Sequence, residues 1–158
     1  MIRSERRIRL CTALLIVNLA VIWGNSLLPG EISGKISGSA TELIGKLLGL
    51  TPGESQGGHG LLRKLAHFSE FACLGMLLTW RLAMGKQSGR NLICQTLLGG
   101  MMAACLDETI QIFVDGRGSS LLDVWIDTCG ACVGMTILLF GHHLCKKKKH
   151  NNIMEETT

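Results

Sequence analysis

The stretch that decides the fold runs from Arg63 to Met84 and reads RKLAHFSEFACLGMLLTWRLAM. Most of its charged residues lie at the start, and a long apolar run follows. Residues 63, 67 and 70 are spaced four and three apart, so on a helix they form a single polar stripe. A hydrocarbon core of about 30 Å is crossed by about 20 apolar residues. The segment therefore predicts a membrane-spanning helix over about residues 65–84, with a polar stripe at its first end.

Three further apolar blocks of similar length are present, at about residues 8–28, 91–113 and 121–145. The chain of 158 residues is 47% hydrophobic and 18% charged, whereas soluble domains average about 25% charged residues. We therefore predict a single membrane domain over residues 1–158 with an all-α fold. Its architecture is an integral membrane four-helix bundle, with an amphipathic outer segment between helices 1 and 2.

The first block has the basic start and apolar run that a signal peptide also shows. No small-x-small cleavage site follows it, because the sequence continues Asn25-Ser26-Leu27-Leu28-Pro29. We expect an uncleaved membrane anchor. The seven cysteines all fall inside the apolar blocks, where free cysteine behaves as a small hydrophobe. Cys129 and Cys132 form a CxxC without a second pair, which favours helix packing over a redox or zinc role.

The basic residues indicate the orientation. Eleven of the 16 lysines and arginines lie near the first residues, in the link between blocks two and three, or just after block four. With four spans these places share one side, and cytoplasmic loops carry the excess of such residues. We predict a multi-pass protein of the cell membrane with both termini cytoplasmic. The net charge of +4 then reflects topology, and we expect no nucleic-acid partner.

The opposite side holds two segments. From about Pro29 to Arg63 the chain is rich in glycine and serine, with apolar residues at helical spacing, which predicts amphipathic pieces on the outer leaflet. Within it, we expect a flexible turn from Thr51 to Gly60. The second outer segment, Val114–Ser120, is predicted to be a tight loop.

Polar side chains recur at the outer ends of the last three blocks. Because these blocks alternate in direction, their polar ends meet on the outer face, about 5–10 Å deep at 1.5 Å per residue. Ionised groups at such depth are costly unless they pair or face water, so a shared functional site is favoured over a purely structural salt-bridge network. The members are Arg63, Lys64, His67, Glu70, Asp107, Glu108, Gln111, Arg117, Asp123 and Asp127.

Two motifs resemble those of the VanZ-like family of bacterial membrane proteins. The first is Lys64-Leu-Ala-His67-Phe68-Ser-Glu70-Phe71-Ala-Cys-Leu74-Gly75, and the second is Asp107-Glu108-Thr-Ile-Gln111-Ile-Phe113-Val-Asp-Gly-Arg117 followed by Asp123 and Asp127. The resemblance covers about residues 8–145. Phe71 stands where relatives often carry tyrosine, and Asp127 stands where they often carry asparagine.

The resemblance implies a cell-envelope protein, in a family named after one tied to resistance against the glycopeptide teicoplanin. We hypothesise that the outer cluster binds or modifies the headgroup of a membrane lipid or of a lipid-linked cell-wall precursor. Arg63, Lys64 and Arg117 suit phosphate. In an enzymatic form, His67 or Glu70 acts as general acid or base, while three acids, Asp107, Glu108 and Asp123, hold a divalent cation.

Two other hypotheses stay open. One is a non-enzymatic membrane scaffold whose charges form a structural salt-bridge network. The other is a small transporter, which is disfavoured because the halves show no inverted repeat and the cytoplasmic half of the spans carries no charge. The sequence identifies neither the substrate, the metal nor the oligomeric state.

Overall fold

The computed structural model describes residues 2–36, 39, 58–85, 87 and 89–156, which contain helices and no strands. Four long helices are present: α1 (Ile2–Ser26), α2 (Gly58–Met84), α3 (Gly89–Ile112) and α4 (Leu121–Glu156). Residues 30–36 are also helical. The prediction of an all-α chain is thus confirmed for the described residues.

The helix bounds differ from the predicted blocks at several ends. The flexible turn expected from Thr51 to Gly60 is wrong for its last three residues, because α2 begins at Gly58, and glycine is well accepted where a helix starts. Residues 51–57 lie outside the described part of the chain, as does most of the predicted amphipathic segment beyond residue 36. Residues 114–120 form a non-helical link, as predicted.

Two helices are long and apolar enough to cross a membrane, α1 over Glu5–Ser26 and α4 over Leu121–Lys147. Helices α2 and α3 are 27 and 24 residues long, but each carries several charged residues among its apolar ones. Two of the four predicted spans are therefore supported by length and composition.

The surface of the helices is apolar where they do not contact one another. On α1 the exposed residues Leu10, Leu14, Val17 and Val21 follow one another at helical spacing. On α4 a similar stripe is formed by Val133, Ile137, Phe140 and Leu144. The interior, in contrast, holds many polar side chains. These are Ser26, Thr79, Thr96, Asp107, Glu108, Gln111 and Asp127.

Helices α2 and α4 approach closely through small residues. A Cβ atom added at Gly134 on α4 would lie 1.8 Å from the carbonyl oxygen of Ala72 on α2, and one at Gly130 would lie 2.5 Å from that of Phe68. Gly75 on α2 similarly meets the backbone of Ala131. Gly130 and Gly134 form a GxxxG pattern, which allows close helix packing, and their partner in the structure is α2.

An apolar core joins α1, α2 and α3 beside these contacts. It consists of Ile22, Phe71, Leu74, Ala103 and Ala104, all buried. Because this core ties α1 to the other helices, it places the end of α1 beside the polar ends of α2 and α3. The start of α2, the end of α3 and the start of α4 meet there, as the alternating directions predicted.

Candidate functional site

The carboxylates of α3 are held by neutral hydrogen-bond donors. The Ser26 hydroxyl donates to Asp107 Oδ1 at 2.7 Å, and the Gln111 amide donates to Asp107 Oδ2 at 2.9 Å. The same Gln111 nitrogen lies 3.3 Å from Glu108 Oε1, and the Ser120 backbone N–H donates to Glu108 Oε2 at 2.7 Å. This network links α1, α3 and the first turn of α4. It fixes the orientation of two almost fully buried acids.

A close ion pair joins α2 to α4 at this end of the bundle. Lys64 Nζ lies 3.1 Å from Asp123 Oδ1, with the lysine side chain 38% exposed and the aspartate 19% exposed. The other charged contact among the described cluster residues is looser, because His67 Nδ1 lies 3.8 Å from Asp107 Oδ2. The described acids are therefore mostly not neutralised by direct salt bridges, in contrast to what a structural salt-bridge network requires.

A small pocket opens between the ends of α2, α3 and α4. Its volume is about 10 Å³, enough for roughly one water molecule or ion. Basic and acidic side chains share its lining with one apolar residue. The lining residues are Arg63, Lys64, His67, Glu108, Gln111, Asp123, Ile126 and Asp127. Seven of the ten predicted site residues thus line one cavity.

Three candidate metal-ligating side chains converge beside this pocket, and two of them, His67 and Asp127, line it. One nitrogen of His67 and one oxygen each of Asp107 and Asp127 all lie within 4.8 Å of one another. Asp107 is fully buried and Asp127 is 2% exposed. This trio differs from the predicted set of acids, since Glu108 and Asp123 are already bonded to Ser120 and Lys64.

Three predicted site residues do not line the pocket: Asp107, Glu70 and Arg117. Of these, Glu70 and Arg117 lie toward α1. Glu70 Oε1 accepts a 2.6 Å hydrogen bond from the Asn25 amide. The Arg117 guanidinium donates to the carbonyl oxygens of Leu28 and Asn25, at 3.1 Å and 2.5 Å. Arg117 thereby satisfies carbonyl groups at the end of α1, where a cation also suits the helix dipole. Burial and repulsion from Arg63 lower the pKa of Arg117 below its ordinary value.

The site was predicted on the last three helices alone, but α1 also contributes to it. Asn25 and Ser26 supply side-chain hydrogen bonds to Glu70 and Asp107. Their signal in the sequence is a pair of adjacent polar residues at the end of an apolar block. Adjacent residues point in different directions on a helix, which is why the two side chains reach different helices.

The fold and the site together define a class of protein. Apolar side chains cover the outside of the helices, while serine, threonine, glutamine and carboxylate groups lie buried between them. This arrangement, with two helices able to cross a bilayer, is consistent with a helical membrane protein.

The chain belongs to the VanZ/LLP1 family, whose model matches residues 11–142. The matched range contains both motifs and all four helices in whole or in part, so the resemblance seen in the sequence is confirmed. Comparison with curated proteins and with solved structures finds no match.

Proposed function

We propose that the protein is a multi-pass cell-envelope membrane protein whose basic side chains at the mouth of the pocket bind the phosphate-bearing headgroup of a membrane lipid or of a lipid-linked cell-wall precursor. The observation that carries this proposal is the position of Arg63. It lines the pocket but belongs to neither ion pair of the described cluster, Lys64–Asp123 or His67–Asp107. A half-buried guanidinium of this kind offers a forked set of donors suited to phosphate.

Lys64 supports the same assignment from the neighbouring position. Its ammonium group lies at the pocket and meets a single carboxylate, that of Asp123, with 38% of its side chain still exposed. An ammonium has three donors, so it can keep this contact and still bind an anion. Two adjacent cations at the start of α2 thus face the cavity.

The apolar surface supports the lipid as the source of the phosphate. Exposed hydrophobic residues extend along α1, α3 and α4 up to the end that carries the pocket, where Leu121, Leu122 and Trp125 are exposed. Tryptophan is enriched where membrane helices meet the headgroup layer. A lipid whose chains lie against such a surface would bring its phosphate to the level of the pocket.

In the proposed topology the four helices span the membrane with both termini inside. The basic residues Arg81, Arg90 and Lys146 lie at the opposite end of the helices from the pocket, which fits the positive-inside rule. The pocket would then face the outer leaflet, where glycopeptide targets are exposed. An effect on glycopeptide susceptibility, teicoplanin included, is part of the proposal.

Binding is tested with the full chain in nanodiscs, by native mass spectrometry of retained lipid. The probes are undecaprenyl phosphate, phosphatidylglycerol and a neutral diacylglycerol. We expect retention of a phosphate-bearing probe by the unchanged protein and a loss of about tenfold in Arg63→Gln, equivalent to about 1.4 kcal/mol. Preference between the two phosphate lipids then identifies the source of the headgroup.

The matched control is Arg90→Gln, which removes the same charge from the exposed start of α3 at the other end of the bundle. It should retain the probe as the unchanged protein does. Equal retention of all three probes, or equal losses in both variants, contradicts a phosphate site at Arg63. In cells, lipid composition and glycopeptide susceptibility unchanged by His67→Ala combined with Asp107→Ala would also contradict it.

A further inference from the structure

We infer that His67, Asp107 and Asp127 form a binding site for one divalent transition-metal ion, with Zn²⁺ as the best fit. This inference does not depend on lipid binding. It starts from the convergence of one nitrogen and two carboxylate oxygens within 4.8 Å of one another.

The side chain of Asp127 points to a missing partner. It is 2% exposed and lines the pocket, yet it belongs to neither ion pair of the described cluster, Lys64–Asp123 or His67–Asp107. A buried carboxylate without a partner is strongly disfavoured. A cation in the pocket would supply that partner.

His67 shows the same lack on the facing helix. Its Nδ1 atom is buried without a hydrogen-bond partner, and it lies 3.8 Å from Asp107 Oδ2. That separation exceeds a hydrogen bond but is near the spacing of two ligands on one ion. Ligands of a tetrahedral zinc ion, at about 2.0–2.2 Å from the metal, lie about 3.4 Å apart.

The charges around the trio also favour a cation. Asp107, Glu108 and Asp127 are all at most 5% exposed, and none of them forms a salt bridge with a described lysine or arginine. Lys64 instead forms an ion pair with Asp123. The ionised form of each buried acid costs several kcal/mol unless it is compensated, so a divalent ion would stabilise these side chains as carboxylates.

The surroundings of Asp107 match those of a metal ligand. Its Oδ1 atom accepts from Ser26 and its Oδ2 atom from Gln111, which holds the carboxylate oriented toward His67 and Asp127. Ligating carboxylates in metal sites are ordinarily held by such outer hydrogen bonds. Two carboxylates and one imidazole leave a fourth position for water or for a ligand oxygen, as in zinc sites with three protein ligands.

The donor set selects the metal class. Mg²⁺ and Ca²⁺ prefer oxygen ligands alone, whereas imidazole suits Zn²⁺ and its transition-metal neighbours.

The test uses the full chain in nanodiscs, stripped with a chelator and dialysed against ZnCl₂, with metal content measured by mass spectrometry. We expect about one bound Zn²⁺ per chain. Asp127→Asn and His67→Gln should each weaken Zn²⁺ binding at least tenfold. Millimolar Mg²⁺ should not displace the bound ion.

Two variants act as controls. Asp115→Asn neutralises an exposed acid in the link before α4 that does not line the pocket, and it should bind Zn²⁺ as the unchanged protein does. Asp123→Asn neutralises an acid that lines the pocket but lies outside the trio, so it should weaken Zn²⁺ binding much less than Asp127→Asn does. If Asp123→Asn weakens binding as much as Asp127→Asn does, the ion is held by general negative charge and the assigned site is wrong.

A spectroscopic measurement on the unchanged protein keeps the inference testable if the variants do not fold. Co²⁺ substituted for Zn²⁺ should give the visible absorption of a four-coordinate ion with nitrogen and oxygen ligands. Failure of the unchanged, folded protein to bind either ion stoichiometrically overturns the proposal, and so does displacement of bound Zn²⁺ by Mg²⁺. Lipid retention measured on the same samples separates failure of this site from failure of the phosphate site.

Discussion

The Ser26 hydroxyl donates a 2.7 Å hydrogen bond to the fully buried Asp107 carboxylate. The two residues are 81 positions apart in the sequence, and their bond joins α1 to α3. The bond places the end of α1 against the acidic end of α3. It also satisfies one oxygen of an acid that has no lysine or arginine partner in the described part of the chain. The first helix is therefore part of the site and does more than anchor the chain.

Replacement of Ser26 by alanine should lower stability. The change leaves Asp107 Oδ1 without its donor, and losing a partner of a buried polar group costs about 1–3 kcal/mol. We expect this decrease in the free energy of unfolding, measured by denaturing-detergent titration of the full chain. Ser119→Ala serves as the control because Ser119 is exposed in the loop before α4. Equal stability of Ser26→Ala and the unchanged protein would mean that the bond contributes nothing measurable.

Close packing of α2 against α4 should make Gly134 intolerant of a side chain. A Cβ atom there would lie 1.8 Å from the Ala72 carbonyl oxygen, so the helices would have to separate. Overpacking of this kind costs about 1–3 kcal/mol, and Gly134→Ala should lower the free energy of unfolding by that amount.

Gly141 provides the control for this substitution. It lies on the same helix, and a Cβ atom added there has no other atom within 4 Å. Gly141→Ala should leave stability unchanged or raise it slightly, because alanine is the better helix former. The same loss in both variants would show that helix contact at Gly134 is not what matters.

Removal of the Lys64–Asp123 ion pair distinguishes the binding hypothesis from the hypothesis of a structural salt-bridge network. Partly exposed ion pairs contribute about 0–1 kcal/mol, so the double variant Lys64→Gln with Asp123→Asn should keep nearly the full free energy of unfolding. It should lose retention of phosphate-bearing lipid, because a pocket cation is removed.

The scaffold hypothesis predicts a different result for that double variant. If the charges only hold the helices together, removal of both partners should leave the free energy of unfolding nearly unchanged. Lipid retention and glycopeptide susceptibility should then be unchanged as well. Lipid retention and glycopeptide susceptibility, each measured beside unfolding, decide between the two. Full lipid retention in the double variant would contradict a role for Lys64 in binding.

Much of this arrangement could be predicted because it rests on local spacing. The stripe of Arg63, His67 and Glu70 follows from helical periodicity. Because the helices alternate in direction, this stripe lies near the end of α3 and the start of α4. Close packing at Gly130 and Gly134 follows from residue size. These features need only the period of a helix and the length of a span.

Which acid contacts which partner could not be predicted in this way. Whether Asp107 or Glu108 faces His67 depends on the rotation of α3 about its axis, which the packing of Ala103 and Ala104 against α1 and α2 decides. Likewise, the Arg117 side chain bonds carbonyl groups of α1, and no spacing within the second motif indicates that contact. These contacts depend on packing between residues that are far apart in the sequence.

The proposed topology can be tested by accessibility of introduced thiols. In a background lacking the seven native cysteines, we compare Ser119→Cys with Lys147→Cys, since both positions are exposed in the structure. A membrane-impermeant thiol reagent should label position 119 in intact cells and label position 147 only after permeabilisation. Each position thus serves as the control for the other. Labelling at 147 in intact cells would place the pocket on the cytoplasmic side, and the proposed access to outer-leaflet headgroups would be wrong even if the pocket binds phosphate.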